Sequence, residues 1–338
     1  MTFTSLTLAH GGGGFRTERL LREIIFPILR PGKSAAMDDS AILAAPGDGR
    51  LAFTTDSFIV SPLFFPGGDI GRLAVAGTVN DLAVVGAKPL WLSLGLILEE
   101  GLEIETLKAI CQSIRATADE AGVEIVTGDT KVVERGKGDG CYVNTSGLGR
   151  VLCEPPPSLA GARAGDAVIL TGTLGDHGAA VVARRESLAL DSPVQSDVAP
   201  LGRMLNALVE RFGSAIHTLK DPTRGGMAMA CHEIVEASSV QIELDEAAIP
   251  VRREVQGICD LLGFDVLEVA NEGKAVVLCA KEIAEAVVEF LAGFNCGKRA
   301  AIVGCVVTSD HPLVLLRTRI GGERLVAKPA GEILPRIC

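Results

Sequence analysis

One break divides the sequence into two halves that follow the same pattern. At Cys153–Asp166 (CEPPPSLAGARAGD), three consecutive prolines and several small residues interrupt all periodicity, as is typical of a linker between domains. On both sides, apolar strand-like runs alternate with apolar-periodic helical segments. The length of 338 residues suits two cores better than one. We therefore predict two α/β or α+β domains, 1–155 and 156–327, followed by a flexible tail, 328–338.

Local patterns predict the elements of each half. LAFTTD from Leu51 is a predicted strand, and GRLAVAGTVNDLAVVGAKP is a predicted helix that ends at Pro89. WLSLGLIL predicts the next strand, before a helix from about Glu103 to Ala121 and the strands VEIVTGD and CYVNTSGLGRV. In the second half, AVILTG predicts a buried strand and PLGRMLNALVERF an amphipathic helix.

Composition and charge exclude several classes of protein. The chain is 48% hydrophobic, and its 32 basic and 42 acidic side chains give a formal charge of −10, which opposes binding to nucleic acid or anionic membranes. No apolar run reaches the roughly 20 residues that a membrane helix needs, and the N-terminus lacks a basic region before an apolar stretch. The nine cysteines have no C-x-x-C spacing and read mostly as buried, reduced thiols. A cytoplasmic protein is predicted.

Four aspartate-containing segments lie in the first half and favour a nucleotide site. Three are predicted at strand ends or in loops, where a carboxylate can project into a cleft, although Asp is also simply common in turns. Asp81 differs because it interrupts an apolar helix, where an unpaired charge costs several kcal/mol. Convergent carboxylates suit Mg²⁺ that carries a polyphosphate. The candidates are Asp38 and Asp39 in MDDS, Asp56 in TTDS, Asp81 after Asn80 in VNDL, and Asp129 in TGDT.

A glycine run near the N-terminus is a weaker phosphate signal. Gly11, Gly12 and Gly13 follow His10 in HGGGG, where backbone N–H groups without a Cβ nearby suit a phosphate cover. The run fits neither a Walker A motif nor a dinucleotide-binding fingerprint. Without the aspartates, a plain N-terminal arm is the better interpretation.

The sequence ends in a nucleophile, since PRIC places Cys338 at the last position. From Lys328 onward the tail is long enough to extend about 35 Å, so it can visit a second protein and return. Pro329 and Pro335 reduce the conformational entropy that docking would cost. Ile333, Leu334 and Ile337 are candidates for anchoring the tail in an apolar channel.

Taken together and in order, these motifs resemble the HypE family of hydrogenase maturation factors. The resemblance covers essentially the whole chain and rests on the glycine run, MDDSA, TTDSF, TVNDLAVVGAKP, TGDTKVVE, GTLGDHG, DPTRGG, NEGK and PRIC. It implies the two-domain fold of the aminoimidazole ribonucleotide synthetase (PurM-like) superfamily and a homodimer formed through the N-terminal domains. The aspartate set is shared across that superfamily, whereas the PRIC end is specific to the HypE family.

The resemblance also implies an activity and partners. ATP and Mg²⁺ would bind the acidic cleft, with Asp39, Asp81 and Asp129 as the metal ligands. A HypF-like carbamoyltransferase would load a carboxamide onto Cys338, and ATP-dependent dehydration would turn this thiocarbamate into a thiocyanate. The cyano group would then pass to iron on a HypC–HypD-like complex.

Two residues are implied as catalytic by the same resemblance. Glu272 in NEGK is the candidate base, and Lys131 in TGDTK is its partner for polarising or orienting the carboxamide; the sequence leaves open which of the two is the base. Both are equally interpretable as exposed turn charges. Arg224 in DPTRGG is interpreted as structural, with phosphate contact as the alternative. In GDHG, Asp176 is interpreted as a helix cap, and His177 as either a surface or a catalytic residue.

Two other functions remain open at this stage. A small-molecule kinase or synthetase of the same superfamily would leave the terminal cysteine unexplained. A passive carrier would use the tail only to ferry a group, but it would not need a magnesium-nucleotide cleft.

Overall fold

Two large β-sheets, each with helices packed on it, dominate the computed structural model of this chain, which also has a small two-stranded sheet. It describes residues 4–7, 10, 19–29, 47–188, 194–329 and 334–338. Helices and strands are both abundant, which confirms the predicted mixed α and β class with two domains. Within the described residues, no helix combines the length and apolarity needed to span a bilayer.

The first half contains a four-stranded sheet with the order β1-β6-β4-β5. Only β4 and β5 are parallel; the other neighbours are antiparallel. Its elements are α1 (Phe26–Leu29, after a π-helical turn at Leu21–Ile25), β1 (Leu51–Phe58), β2 (Phe64–Phe65), β3 (Gly68–Asp69), α2 (Ile70–Val84), β4 (Ala87–Glu99), α3 (Ile104–Ala121), β5 (Glu124–Val133) and β6 (Cys141–Val151).

Helix α2 covers one face of this sheet. Asp69 caps its start by accepting hydrogen bonds from the N–H groups of Gly71 and Arg72, at 2.7 and 3.2 Å. On the other face, alternate residues of β1 are exposed. Three apolar side chains on that open face, Leu51, Phe53 and Ile97, are 53%, 70% and 43% exposed. One face of the sheet is therefore a packed core, and the other carries uncovered apolar side chains.

Two sequence predictions about this half are wrong in detail. The helix ends at Val84 rather than at Pro89, which lies inside β4. The chain reverses between them at Gly86, whose φ of +68° suits a residue without a Cβ. Asp56 and Asp129 do not lie in loops or at strand ends, because each falls within a strand. The predicted helix after Glu103 is confirmed as α3.

The second half is built on a seven-stranded sheet with the order β13-β12-β9-β11-β7-β10-β8. Strands β9 and β12 are parallel, and the remaining pairs are antiparallel. Its elements are β7 (Ala167–Leu170), α4 (Asp176–Arg185), α5 (Gly202–Phe212), β8 (Ile216–Lys220), α6 (Gly226–Ser238), β9 (Gln241–Asp245), α7 (Arg253–Leu262), β10 (Val276–Cys279), α8 (Ala284–Ala292), β11 (Ala301–Val307), β12 (Leu313–Arg317) and β13 (Glu323–Leu325).

The two halves share one apolar core. A single cluster of buried side chains joins α2, α3 and β4 of the first half to Ala180 and Val181 of α4 in the second. Leu334 and Ile337 from the C-terminal end belong to the same cluster. Since each fully buried aliphatic side chain contributes about 1.5–3 kcal/mol, this core fixes the end of the chain against both halves.

Candidate active site

The last residues of the chain lie in a cleft beside α4. His177, in the first turn of that helix, donates from Nε2 to the carbonyl oxygen of Ile337 at 2.8 Å, and its Nδ1 lies 2.8 Å from Ser196 Oγ. Burial lowers the pKa of His177, so the ring is a neutral hydrogen-bonding group near pH 7. His177 is therefore neither a surface residue nor free for other chemistry, because it holds the tail.

A second set of contacts binds the tail at Pro335 and Arg336, just before Ile337. Arg185 donates to the carbonyl oxygens of Pro335 and Arg336 at 2.9 and 2.8 Å. The N–H of Ser61 donates to the same Arg336 carbonyl at 3.2 Å, and the Arg336 guanidinium pairs with Asp139 at 2.9 Å. The residues that form these bonds come from both halves of the chain, and they fix the position of the terminal residue between the two halves.

The terminal residue, Cys338, lies next to the carboxyl group of Glu272. Glu272 is 2% exposed, and it lies within hydrogen-bonding reach of the Cys338 thiol. Burial raises the pKa of Glu272 well above its ordinary range, and the carboxylates of Asp221 and Asp197 raise it further. Burial and then Glu272 raise the pKa of the Cys338 thiol, while Arg224 opposes this. The Oε1 atom of Glu272 is buried and has no hydrogen-bond partner among the described residues, which leaves this oxygen able to accept a proton or a hydrogen bond.

An acidic group stands next to this pair. Asp56 on β1, Asp81 on α2 and Asp221 after β8 lie near one another. Burial and, to a smaller extent, the Asp221 carboxylate raise the pKa of Asp56. Burial, the Asp221 carboxylate and, to a smaller extent, Asp56 raise the pKa of Asp81 to about 7, although the Thr54 hydroxyl donates to it at 3.0 Å. Asp221 is itself paired with Lys220 at 3.2 Å. Such clustered carboxylates favour a bound cation.

Asn80 has a different environment from its neighbour. Its side-chain N–H₂ donates to the carbonyl oxygens of Ala199 and Glu272 at 3.2 and 3.3 Å, and its oxygen accepts from the N–H of Leu201 at 2.7 Å. The amide thus ties α2 to the backbone that carries Glu272. A contact from Asn80 to nucleotide stays a prediction.

Asp129 and Lys131 are not brought to this cluster within one chain. They pair with each other at 2.7 Å and are largely exposed, and the Lys131 ammonium lowers the pKa of Asp129. Along β5 they share a face with Gly95 and Ile97 of β4, which is the open face, whereas Asp81 is carried by the helix on the other side. Within a single chain, Lys131 does not lie beside Glu272. Their joint action on the carboxamide therefore stays a prediction.

Several predicted residues cannot be placed. Gly11, Gly12, Gly13, Asp38 and Asp39 lie outside the described residues. Within the described ranges, no three His, Cys, Asp or Glu side chains are arranged closely enough to hold a metal ion by themselves. The predicted ligand set of Asp39, Asp81 and Asp129 therefore stays a prediction.

Sequence reasoning missed the carboxylates of Asp221 and Asp197, and it misinterpreted the role of Asp176. Asp221 was overlooked in DPTRGG, although an Asp between a buried strand and a turn of small residues is the same signal that singled out Asp56. Asp197 follows no motif. The interpretation of Asp176 as a cap is wrong, since Gly175 occupies that position and the Asp176 carboxylate accepts from Thr173 instead.

The raised pKa of Asp81 gives a testable stability effect. Asp81→Asn should stabilise the nucleotide-free protein at pH 8 by about 1–3 kcal/mol, because wild-type folding then has to bury a charge. The sign follows from the folded pKa of about 7, above the ordinary 3.8: wild-type stability falls as pH rises from about 4 to 7. At pH 4 the two proteins should match in thermal unfolding.

Asp129→Asn is the matched control, because Asp129 is exposed. This substitution should change the unfolding temperature little at either pH. A lower unfolding temperature for Asp81→Asn than for the wild type at pH 8 would contradict this electrostatic account.

Comparison with known proteins places this geometry in a family. Residues 37–151 match the AIR synthase related protein, N-terminal domain, and residues 163–316 match its C-terminal domain. The chain is 45% identical over 333 residues to carbamoyl dehydratase HypE of Cupriavidus necator, covering 98% of this chain and 95% of that protein. It is also 45% identical over 339 residues to the HypE of Escherichia coli K12, covering 99% of both. The chain belongs to the HypE family.

Solved structures agree with this assignment. A crystal structure of HypE in complex with ATP superposes with a TM-score of 0.94 at 43% identity, covering 98% of this chain and all of that one. A HypE–HypF complex gives 0.80 at 45% identity, covering 92% and 99%. A thiamine-monophosphate kinase from Stenotrophomonas maltophilia gives 0.63 at 18% identity, covering 91% and 96%, which shows the shared fold alone.

Proposed function

We propose that this HypE-family protein catalyses the ATP-dependent dehydration of a carboxamide carried on its own Cys338, in the maturation of a hydrogenase. One observation carries the proposal: the half-buried terminal thiol lies within hydrogen-bonding reach of the Glu272 carboxyl, beside an acidic cluster. A sulfur placed there can present a covalently held group to a base and to a nucleotide together. Relatives at about 45% identity are named carbamoyl dehydratases.

The chemistry balances as a phosphorylation followed by an elimination. The carboxamide oxygen on S–CO–NH₂ takes the γ-phosphoryl group of ATP, with ADP as the leaving group, and the nitrogen releases its first proton to solvent. The product, S–C(=NH)–O–phosphate, carries that oxygen as part of a good leaving group and keeps one nitrogen proton. Glu272 takes a nitrogen proton as the C–O bond breaks, and phosphate departs to leave S–C≡N on Cys338. Burial raises the pKa of Glu272, which makes its carboxylate a stronger base in a site that excludes water.

The acidic cluster is assigned to the nucleotide. Asp81 and Asp56 supply hard carboxylate oxygens. Burial and then the neighbouring carboxylates of Asp221 and Asp56 raise the pKa of Asp81, and a bound cation would relieve this unfavourable charge. We assign Mg²⁺ to Asp39 and Asp81 of one chain and Asp129 of a second chain, where it would neutralise the phosphate charge. Gly11, Gly12 and Gly13 are proposed to cover the phosphates, with Asp38, Asp56 and Asn80 completing the ATP site.

A homodimer would bring Lys131 and Asp129 to a second chain's cleft. The open face of the first sheet carries Leu51, Phe53 and Ile97, which leaves apolar area for a partner to cover. Asp129 and Lys131 lie on the same face at the edge strand. A second copy of the sheet packed on this face would support a role for Lys131 in orienting the carboxamide.

Phe53→Asp should therefore turn a dimer into a monomer in analytical ultracentrifugation, because it places a charge in the covered face. Leu261→Asp is the matched control, since Leu261 on α7 is equally exposed, at 70%, and lies away from the sheet. An unchanged sedimentation coefficient for Phe53→Asp, or a monomeric wild type, would contradict the proposed homodimer.

The proposed partners follow from the chemistry of the tail. A HypF-like carbamoyltransferase would load the sulfur, in keeping with the HypE–HypF complex known for a similar chain. A HypC–HypD-like complex carrying iron would accept the cyano group. All described cysteines are free thiols, which fits a reducing, ATP-containing cytoplasm.

Intact-mass measurement separates this function from the alternatives. The protein is loaded with carbamoyl phosphate and the transferase, and Mg-ATP is then added. Loss of one water from the adduct at Cys338 is expected. ATP hydrolysis without that loss would favour a small-molecule kinase or synthetase, and absence of any nucleotide use would favour a passive carrier.

A further inference from the structure

A single carboxylate organises the backbone turn that carries Glu272. Asp197 lies outside every helix and strand, yet its side chain is only 2% exposed. Its Oδ1 accepts the N–H of Glu272 at 3.1 Å, and its Oδ2 accepts the N–H of Gly273 at 3.3 Å. Oδ2 also accepts from Lys274 Nζ at 3.1 Å. Three consecutive residues of the turn are therefore bound by one side chain.

The segment that carries Asp197 is fixed on both sides. The N–H of Ser196 donates to the carbonyl of Pro66 at 2.8 Å, and the Val198 carbonyl accepts from Arg72 Nε at 2.9 Å. Ser196 Oγ also contacts His177, which holds the tail. Asp197 is thus a fixed point between the residue that anchors the tail and the residue that faces the sulfur.

The two backbones approach more closely than side chains allow. A Cβ added at Gly273 would lie 1.8 Å from the carbonyl oxygen of Asp197, so only glycine permits this contact. The N–H of Ala199 donates to the Glu272 carbonyl at 3.3 Å and adds a further tie. The close approach brings the Asp197 carboxylate within reach of two successive N–H groups.

A simpler explanation is that Asp197 only neutralises the buried Lys274. That role accounts for one of the three hydrogen bonds. The other two go to main-chain N–H groups, one of them belonging to Glu272 itself, and a bond to the backbone N–H sets where that residue's side chain starts.

We propose that Asp197 is a positioning residue for the dehydration: its carboxylate holds the backbone of Glu272 and Gly273 so that the Glu272 carboxyl faces the sulfur of Cys338. This inference rests on the proposed function. Its consequence is that Asp197 affects the chemical step without touching the nucleotide or the loading of the tail.

Asp197→Asn tests this, because an amide of the same shape cannot accept hydrogen bonds at both positions. In single turnover of the carbamoylated protein, the dehydration rate should fall on the order of 100-fold, while the KM for ATP and the loading rate stay within about twofold. Amide hydrogen exchange should rise at residues 272 and 273.

Two matched variants separate positioning from general destabilisation. Lys274→Gln leaves both backbone bonds in place and should slow dehydration far less than Asp197→Asn; an equal loss in the two would mean that Asp197 acts through Lys274. Asp166→Asn removes another buried carboxylate, which pairs with His217 at 2.9 Å and accepts the Arg163 N–H. It should lower the unfolding temperature but not the dehydration rate of folded protein.

The outcomes are distinguishable from failure of the proposed function. A wild-type protein that never loses water overturns the proposed function and this inference with it. A wild type that dehydrates alongside an equally fast Asp197→Asn variant overturns the inference alone. An Asp197→Asn variant whose KM for ATP rises and whose loading rate falls along with its dehydration rate also overturns it.

Discussion

Replacement of Cys338 by alanine is expected to abolish carbamoylation completely. The sulfur is the only atom of the tail that forms the proposed covalent adduct, and we expect none of the other described cysteines to replace it. The anchors of the tail remain, since Leu334 and Ile337 are buried in the shared core and His177 and Arg185 bind main-chain carbonyls. The variant should therefore fold normally and still bind the transferase. Intact mass after incubation with the transferase and carbamoyl phosphate gives the result.

Cys305→Ala is the matched control for this experiment. Cys305 is an exposed free thiol, whereas Cys111, Cys141 and three further cysteines are buried. Loss of Cys305 should leave the adduct mass and its yield unchanged. A carbamoyl adduct on the Cys338→Ala protein would show that another residue carries the group, and the proposed role of the terminal thiol would be lost.

Replacement of Glu272 by glutamine is expected to separate loading from dehydration. Glutamine keeps the size of the side chain but cannot accept the nitrogen proton, so the dehydration rate should fall by about 10²–10⁴-fold. Loading should be unchanged, because it takes place when the tail visits the transferase. The loaded protein should therefore accumulate with its full carboxamide mass in the presence of Mg-ATP.

Glu285→Gln serves as the control, since Glu285 is an exposed residue of α8. The loaded Glu285→Gln protein should dehydrate its carboxamide at the wild-type rate. Normal turnover of the Glu272→Gln protein would exclude Glu272 as the base. Lys131, the other candidate from the sequence, would then be tested in the same way.

Local pattern was enough to predict most elements but not their limits. The helix α3 and the strands around it were predicted because their periodicity depends on residues close together in sequence. The end of α2 was misplaced because the apolar run continues through Gly86 into β4, so a proline seemed to be the stop signal. Asp129 was predicted at the end of the strand VEIVTGD, but pairing with β4 continues the strand beyond it, and such pairing is not visible in a local pattern.

The site was predictable only in part, for the same reason. The aspartates and Cys338 carry recognisable local signals, whereas the contact between Cys338 and Glu272 depends on the packing of the tail against α4. Asp197 and Arg185 gave no signal at all, because their functions come from bonds to distant main-chain atoms. The separation of Lys131 from Glu272 also needed the sheet, since strand alternation decides which face each side chain occupies.

The central claim is that ATP makes the carboxamide oxygen on Cys338 a leaving group while Glu272 takes the proton. Tracing that oxygen tests it most directly. The protein is loaded with a carbamoyl group carrying ¹⁸O, Mg-ATP is added in ordinary water, and the inorganic phosphate is analysed by mass spectrometry. We expect one labelled phosphate for each nitrile formed on Cys338. Nitrile formation with unlabelled phosphate would contradict the account.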